Sequence, residues 1–176
     1  LASMVENYQQ DLQRRKEELE QERRELKNYL HEKIQLDAVT QAQTRFSESE
    51  AIVVREVNQL TLHLIGISFS AGKTVITKKA IKLLTKLGDF LSLYPKTRIT
   101  VEGHTDSTGS ETKNIVLSKD RADAIMRFLT EQSGIQEARI TATGLGSSLP
   151  IASNKSRDGR DKNRRIDLII YFSREP

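Results

Sequence analysis

Cysteine is absent from the 176 residues. Its absence excludes disulfides, thiolate metal ligands and cysteine nucleophiles together, and is compatible with an oxidising compartment without pointing to one. Tryptophan is absent too, and aromatic residues make up 5% of the chain, so a stacking platform for bases or sugars is thinly supplied. No apolar run approaches the roughly 18–20 residues of a membrane helix. Leu1 to Gln10 has no basic-then-apolar pattern, so no signal peptide is read there. Membrane attachment is expected only through an anchor preceding Leu1. Between Leu1 and Leu60 there is neither glycine nor proline, which removes the usual breakers and predicts long helix over residues 1–59.

That helical segment reads as a stalk. Val5, Leu12, Leu19 and Leu26 recur every seven residues, as one column of a coiled-coil seam does. The flanking columns are poorer: Tyr8, Arg15, Glu22 and Tyr29 on one side, Gln9, Lys16, Arg23 and Leu30 on the other. The stalk is therefore either a solvated spacer laced with i,i+4 charge pairs such as Glu20–Arg24, or a weak coiled coil through which two chains form a homodimer. Charge divides the chain. Residues 1–60 hold 9 Lys and Arg against 12 Asp and Glu, whereas residues 61–176 hold 19 against 12. The C-terminal part is the basic one, so an anionic partner is expected there.

From Leu60 the pattern becomes that of an α+β domain covering residues 60–173. Leu60 to Phe69 alternates apolar and polar residues as a strand does, with His63 at a polar, solvent-face or edge position. Thr77 can cap a helix with an apolar stripe at Ala80, Ile81, Leu84, Leu87 and Leu91, ended by Tyr94-Pro95. Residues 98–102 form a second strand, and Ser110 to Gln132 a second helix with Ala122, Ile125, Phe128 and Leu129 facing a core. Residues 139–143 and 165–172 are further strands, joined by a long polar loop over 144–163. The predicted order β-α-β-α-β-β gives a two-layer sandwich, with two helices against one face of a mixed sheet.

Function is written in three strings. Gly103-His-Thr-Asp106 lies just past the C-terminal end of a strand, where α/β-type domains place ligand groups. Asn114, Ser118 and Arg121 form one polar stripe on the next helix. Gly159-Arg-Asp-Lys-Asn-Arg-Arg165 runs into the last strand, with Arg164 in phase with Ile166, Leu168 and Ile170, so its long side chain should reach over a pocket. One carboxylate, two guanidinium groups and an amide in one pocket suit an amino-acid head group, whose ammonium needs a carboxylate and whose carboxylate needs an arginine.

In this order and spacing the strings resemble the OmpA-like C-terminal domain, the family of peptidoglycan-associated lipoproteins and of the periplasmic part of flagellar stators. The resemblance spans about residues 60–172 and leaves out the stalk. It implies a non-catalytic module that binds the meso-diaminopimelate of the peptidoglycan stem peptide and anchors an envelope protein to the wall. It also implies Asp106 for the ligand ammonium, Arg121 for its carboxylate, Asn114 and Arg164 at further pocket positions, and Thr105 in the binding loop. Phe69-Ser-Ala-Gly-Lys73 departs from the family pattern, lacking the Asp or Asn that often follows this Phe. The implied place is the periplasm of a Gram-negative bacterium, attached to the outer membrane. A stator or secretion-type complex whose main partner is another protein is the alternative.

Other chemistries fit less well. Asp106 alone could be ordinary turn chemistry. His104 and Asp106 have no third metal ligand nearby in sequence, and His104 is expected to be buried or to hydrogen-bond the loop. Ser107, Ser110 and Ser118 sit in no nucleophile elbow, and Gly144-Leu-Gly lacks a phosphate-loop lysine. The basic run Lys155 to Arg165 has neither interleaved aromatics nor a recognition helix, so nucleic acid is not expected as a partner. No cofactor and no metal are expected.

Overall fold

The structure is a computed structural model that describes residues 2–65, 67, 69 and 74–172. Good helix formers without interruption give α1, Ala2–Arg45. Only its last third touches the rest of the chain. Gln35, Ala38, Ala42 and Phe46 recur every three or four residues and are all buried, whereas no residue between Ser3 and Ile34 is buried. About 50 Å of helix therefore projects into solvent.

The sequence predicted helix through residue 59. Instead α1 stops at Arg45 because Phe46 turns into the core, its ring edge-on to Phe90 at 5.7 Å. Glu50 then binds the Ser47 amide and hydroxyl, at 2.9 and 3.0 Å, and such local side-chain bonds compete with helix. Ile52–Glu56 becomes strand β1, paired antiparallel with β2, Gln59–Leu64. The hairpin turn needs no glycine: Asn58 takes the left-handed conformation at φ 63°, which asparagine tolerates.

The remaining elements lie close to their predicted places. They are α2 (Lys78–Ser92), β3 (Arg98–Gly103), α3 (Glu111–Glu131), β4 (Ile140–Gly144), α4 (Arg157–Asn163) and β5 (Ile166–Tyr171). Thr77 caps α2 by accepting from the Ala80 amide at 3.2 Å, and Ser110 caps α3. Two differences matter here. β2 ends at Leu64 rather than at Phe69. The polar loop holds α4, whose seven residues carry no apolar stripe and whose start is set by Ser156 accepting from the Gly159 amide.

The sheet order is β1-β2-β5-β3-β4, antiparallel except for the β3–β4 pair. Leu62, Leu168 and Val101 stand side by side on one face and are fully buried, packed with Leu84, Leu87, Leu91, Ile125 and Leu129 of the helices. This is a mixed α+β two-layer fold behind a long helix. Its two ends differ in use. Gln59, Tyr171 and Arg98 are neighbours at one end of the three central strands, while Leu64, Ile166 and Gly103 are neighbours at the other. The root of α1 lies at the first end: Asp37 accepts from the Tyr94 hydroxyl at 2.7 Å, and His31 lies 3.3 Å from Asn58. The second end carries the sequence strings.

Candidate functional site

At the Leu64–Ile166–Gly103 end a cavity of about 240 Å³ is lined by Ile65, Ile67, Phe69, His104, Arg121, Asp161, Arg164 and Arg165. Three guanidinium groups against one aspartate make it cationic. Arg121 is 6% exposed, with its guanidinium 5.0 Å from the centre of the Phe69 ring, a cation–π distance. Burial and the neighbouring Arg164 charge lower its pKa, against the pull of Asp106. A buried arginine remains charged, so this cation is held in a poorly solvated place where an anion gains from meeting it.

Asp106 follows β3 in the loop and is 7% exposed. Its Oδ1 accepts from the Thr108 amide at 2.8 Å and its Oδ2 from Arg164 Nη1 at 2.6 Å. Burial raises its pKa, yet the bonds from Arg164 and Thr108 outweigh that and hold the carboxyl below the usual range. Arg164 stands at the end of α4 and is exposed. It also pairs with Asp161, so it spans the mouth of the cleft as its phase with the last strand suggested.

Asn114 and Thr105 are placed differently. The Asn114 amide nitrogen donates to the Asp106 and Thr108 carbonyls at 3.4 and 3.1 Å, bracing the loop that presents Asp106. The Thr105 amide donates to Gly146 at 2.9 Å, and its hydroxyl is buried with no hydrogen-bond partner among the described residues. Arg121 and Arg164 line the cleft, whereas Asp106 is not among its lining residues and is joined to it through Arg164; Asn114 and Thr105 belong to the supporting loop. Of the departing segment Phe69–Lys73, residues 70–73 lie outside the described residues.

The other motif residues act as scaffolding. Ser118 is fully buried, donating to the Ile115 carbonyl at 2.9 Å and accepting from the Gly146 amide at 3.0 Å. Asn163 gathers the long loop, accepting from the Ile151 and Ala152 amides at 2.9 and 3.0 Å and donating to the Ala152 carbonyl. Gly103 lets α3 lie on β3: a Cβ there would sit 2.0 Å from the Ser118 carbonyl oxygen. Gly103→Ala is therefore expected to destabilise the fold by about 1–3 kcal/mol through overpacking and to weaken ligand binding by shifting α3, which carries Arg121. Urea unfolding and a binding titration on the same sample check both effects; an unchanged midpoint would remove the close-approach argument.

Sequence reasoning missed the polar row on the sheet face away from the helices. His63, Asp167 and Glu102 are cross-strand neighbours, joined by His104 and Arg165. Arg165 grips Asp167 with both arms of its fork, Nε donating to Oδ1 and Nη2 to Oδ2, each at 2.9 Å. His63 was expected at a solvent-face or edge position; it lies on the face away from the helices, but on an inner strand and part-buried, with Nδ1 2.7 Å from Asp167. His104 is buried as expected, its Nε2 3.2 Å from Asp167. Burial opposes ionisation of Asp167, but His104, His63 and Arg165 hold its carboxyl well below the carboxylate range. Burial likewise opposes the charge on His104, but Asp167 and Glu102 prevail and raise its pKa. Glu102, His104 and Asp167 bring ligand-type atoms within 4.8 Å of one another. The Arg165 guanidinium already occupies Asp167, however, and a second cation there would meet its repulsion. The signal for this row was the polar residue at alternate positions of three strands, which only the register brings together.

Comparison with known proteins agrees with this architecture. The chain is 37% identical over 106 residues to outer membrane porin F of Pseudomonas aeruginosa, covering 60% of this chain and 30% of the porin. It is 42% identical over 89 residues to the peptidoglycan-binding protein ArfA of Mycobacterium tuberculosis, covering 51% of this chain and 27% of that protein. The chain thus spans about a third of the length of these relatives. A crystal structure of a MotB-like protein from Desulfovibrio vulgaris superposes with a TM-score of 0.73 at 26% identity, over 84% of this chain and 96% of the other. That is more than residues 46–172 alone could supply, so the likeness extends into α1. The OmpA family pattern matches residues 68–164, more than half of the chain, with the first two strings and all but the last residue of the third, and the chain belongs to the OmpA family.

Proposed function

We propose that the domain holds peptidoglycan without a covalent bond, through the meso-diaminopimelate of the stem peptide. In this reading it tethers an envelope protein to the cell wall from the periplasm, at the outer membrane of a Gram-negative bacterium. Members of the family are non-catalytic, and the cleft is read as a binding pocket. Its binding unit begins at the β1–β2 hairpin, with the last third of α1 packed on it, and the exposed part of α1 is the stalk. The partners are the stem peptide and, through the stalk, a second copy of this chain.

The buried, Phe69-stacked Arg121 carries the reading. The side-chain end of diaminopimelate is a zwitterion, with ammonium and carboxylate on one carbon. Arg121 offers a planar fork that matches a carboxylate, while Asp106 has lone pairs left for an ammonium beyond the two bonds it already accepts. Arg164 stands beside Asp106 and keeps it ionised. Phe69, Ile65 and Ile67 give an apolar wall for the methylene chain. Asn114 and Thr105 hold the loop in shape. The relative ArfA, named for peptidoglycan binding, supports the same ligand class.

The test is a calorimetric titration of the chain with a meso-diaminopimelate tripeptide, against a tripeptide carrying lysine instead. Lysine lacks the carboxylate that Arg121 would clasp. Binding of the first at least tenfold tighter than the second is expected, and heat from neither would sink the reading. Affinity should also fall only gently with salt, whereas a nucleic-acid ligand would give a steep slope.

A further inference from the structure

The exposed part of α1 is apolar along one line and charged on either side of it. Val5, Leu12, Leu19 and Leu26 are each at least 50% exposed, and Tyr8 and Tyr29 are 67% and 60% exposed. Over four heptads such a face can seat a partner helix. The charges beside it identify one. The positions just before the column are Met4, Asp11, Glu18 and Glu25, three of them acidic; of the positions four after it, Gln9, Lys16, Arg23 and Leu30, the middle two are basic. In a parallel pair of helices, residues before the column face residues five places later on the partner. Asp11 then meets Lys16 of the second copy, and Glu18 meets Arg23, on both sides of the seam.

We propose that the stalk forms a parallel, in-register two-stranded coiled coil with a second copy of this chain, which sets two wall-binding clefts side by side at the far end. This rests on the reading of the stalk as a homodimer surface and deepens it. Closed twofold symmetry requires the two helices to be in register. An antiparallel pair would set acidic row against acidic row and Lys16 near Arg23, a repulsive arrangement on both flanks. The parallel pair has its own cost, since Arg15 faces Arg15 and Glu22 faces Glu22. Arg15 is partly neutralised on its own helix, its Nε lying 3.0 Å from Asp11, and the two polar layers make the dimer weak rather than absent. The clefts lie at the end of the sheet opposite the root of α1, so both point away from the stalk.

The cysteine-free chain makes orientation directly readable. Leu12→Cys and Leu26→Cys, each prepared alone and oxidised under mild conditions, should cross-link with themselves in high yield, while Arg24→Cys on the far side of the helix should not. Sedimentation of the unaltered chain should show a monomer–dimer equilibrium. Lys16→Glu with Arg23→Glu should weaken it by about tenfold or more, and adding Asp11→Lys and Glu18→Lys should restore it. A monomer at every concentration overturns the dimer. Cross-linking only between Leu12→Cys and Leu26→Cys in a mixture overturns the parallel orientation while leaving the dimer. Neither result touches the ligand titration.

Discussion

Replacing Arg121 with alanine is expected to release the domain from purified cell walls while its circular dichroism and unfolding midpoint stay near those of the unaltered chain. One charge-assisted hydrogen bond is worth about 1.5–3 kcal/mol, so losing even one of a bidentate pair weakens a single site by roughly ten- to a hundredfold. Arg121→Lys keeps the charge and removes the fork. It should recover little of the affinity, because a point charge cannot reproduce bidentate geometry. Asp106→Ala should also release the domain, but through two losses. It removes the proposed ammonium acceptor, and it frees the loop that the Thr108 and Arg164 bonds fasten. Binding by Arg121→Ala within twofold of the unaltered chain, in titration and in wall sedimentation, would show that this cleft is not where the wall is held.

The second large effect concerns Asp167. Asp167→Ala would leave Arg165 buried without its anion and remove a partner of His104, and breaking such a buried pair costs about 3–5 kcal/mol. Against a typical total of about 5–15 kcal/mol, a large part of the stability should be lost in urea unfolding. Changing Asp167→Leu and Arg165→Met together should recover part of it, since an apolar replacement of both partners is often near neutral. A loss below about 1 kcal/mol for Asp167→Ala would contradict the arrangement.

The same row gives a pH dependence with opposite signs at its two ends. The depressed carboxyl of Asp167 stabilises above its unfolded pKa of about 3.9, and that contribution is lost as pH falls below this value. The raised pKa of His104 stabilises fully below its unfolded pKa of about 6.5, and that contribution is lost as pH rises through the folded value. Stability should therefore be greatest in the mildly acidic window between them. The decline on the alkaline side should disappear in His104→Gln.

How much of this was legible in the sequence depended on whether a residue's role was local. Thr77 and Ser110 announce helix starts, and the strings around Asp106, Arg121 and Arg164 announce a pocket, because spacing within one element fixes their direction. β1 was missed because five residues following a long polar helix carry little periodicity, and because Asn58 rather than glycine makes the turn. α4 was missed because its cap and its closing Asn163 define it, not an apolar stripe. The role of Arg165 was hidden because it lies out of phase with the buried row of its own strand. Its reason for burial, Asp167 with His63 and His104, exists only once three strands are in register. Asn114 was read as a site residue; its part as a brace was not legible, since the carbonyls it holds belong to a loop of no regular pattern.

The opposite placement of the stalk root and the cleft bears on how a pulling force would cross the domain. Beyond Phe46 the chain enters the sheet at Ile52, which pairs with His63 near the cleft end of edge strand β1. A load between the proposed wall site and the stalk would therefore be borne first by the buried contacts of Ala38, Ala42 and Phe46 with the domain. Only when that packing gave way would the pull reach β1, the first strand of the sheet on the covalent path.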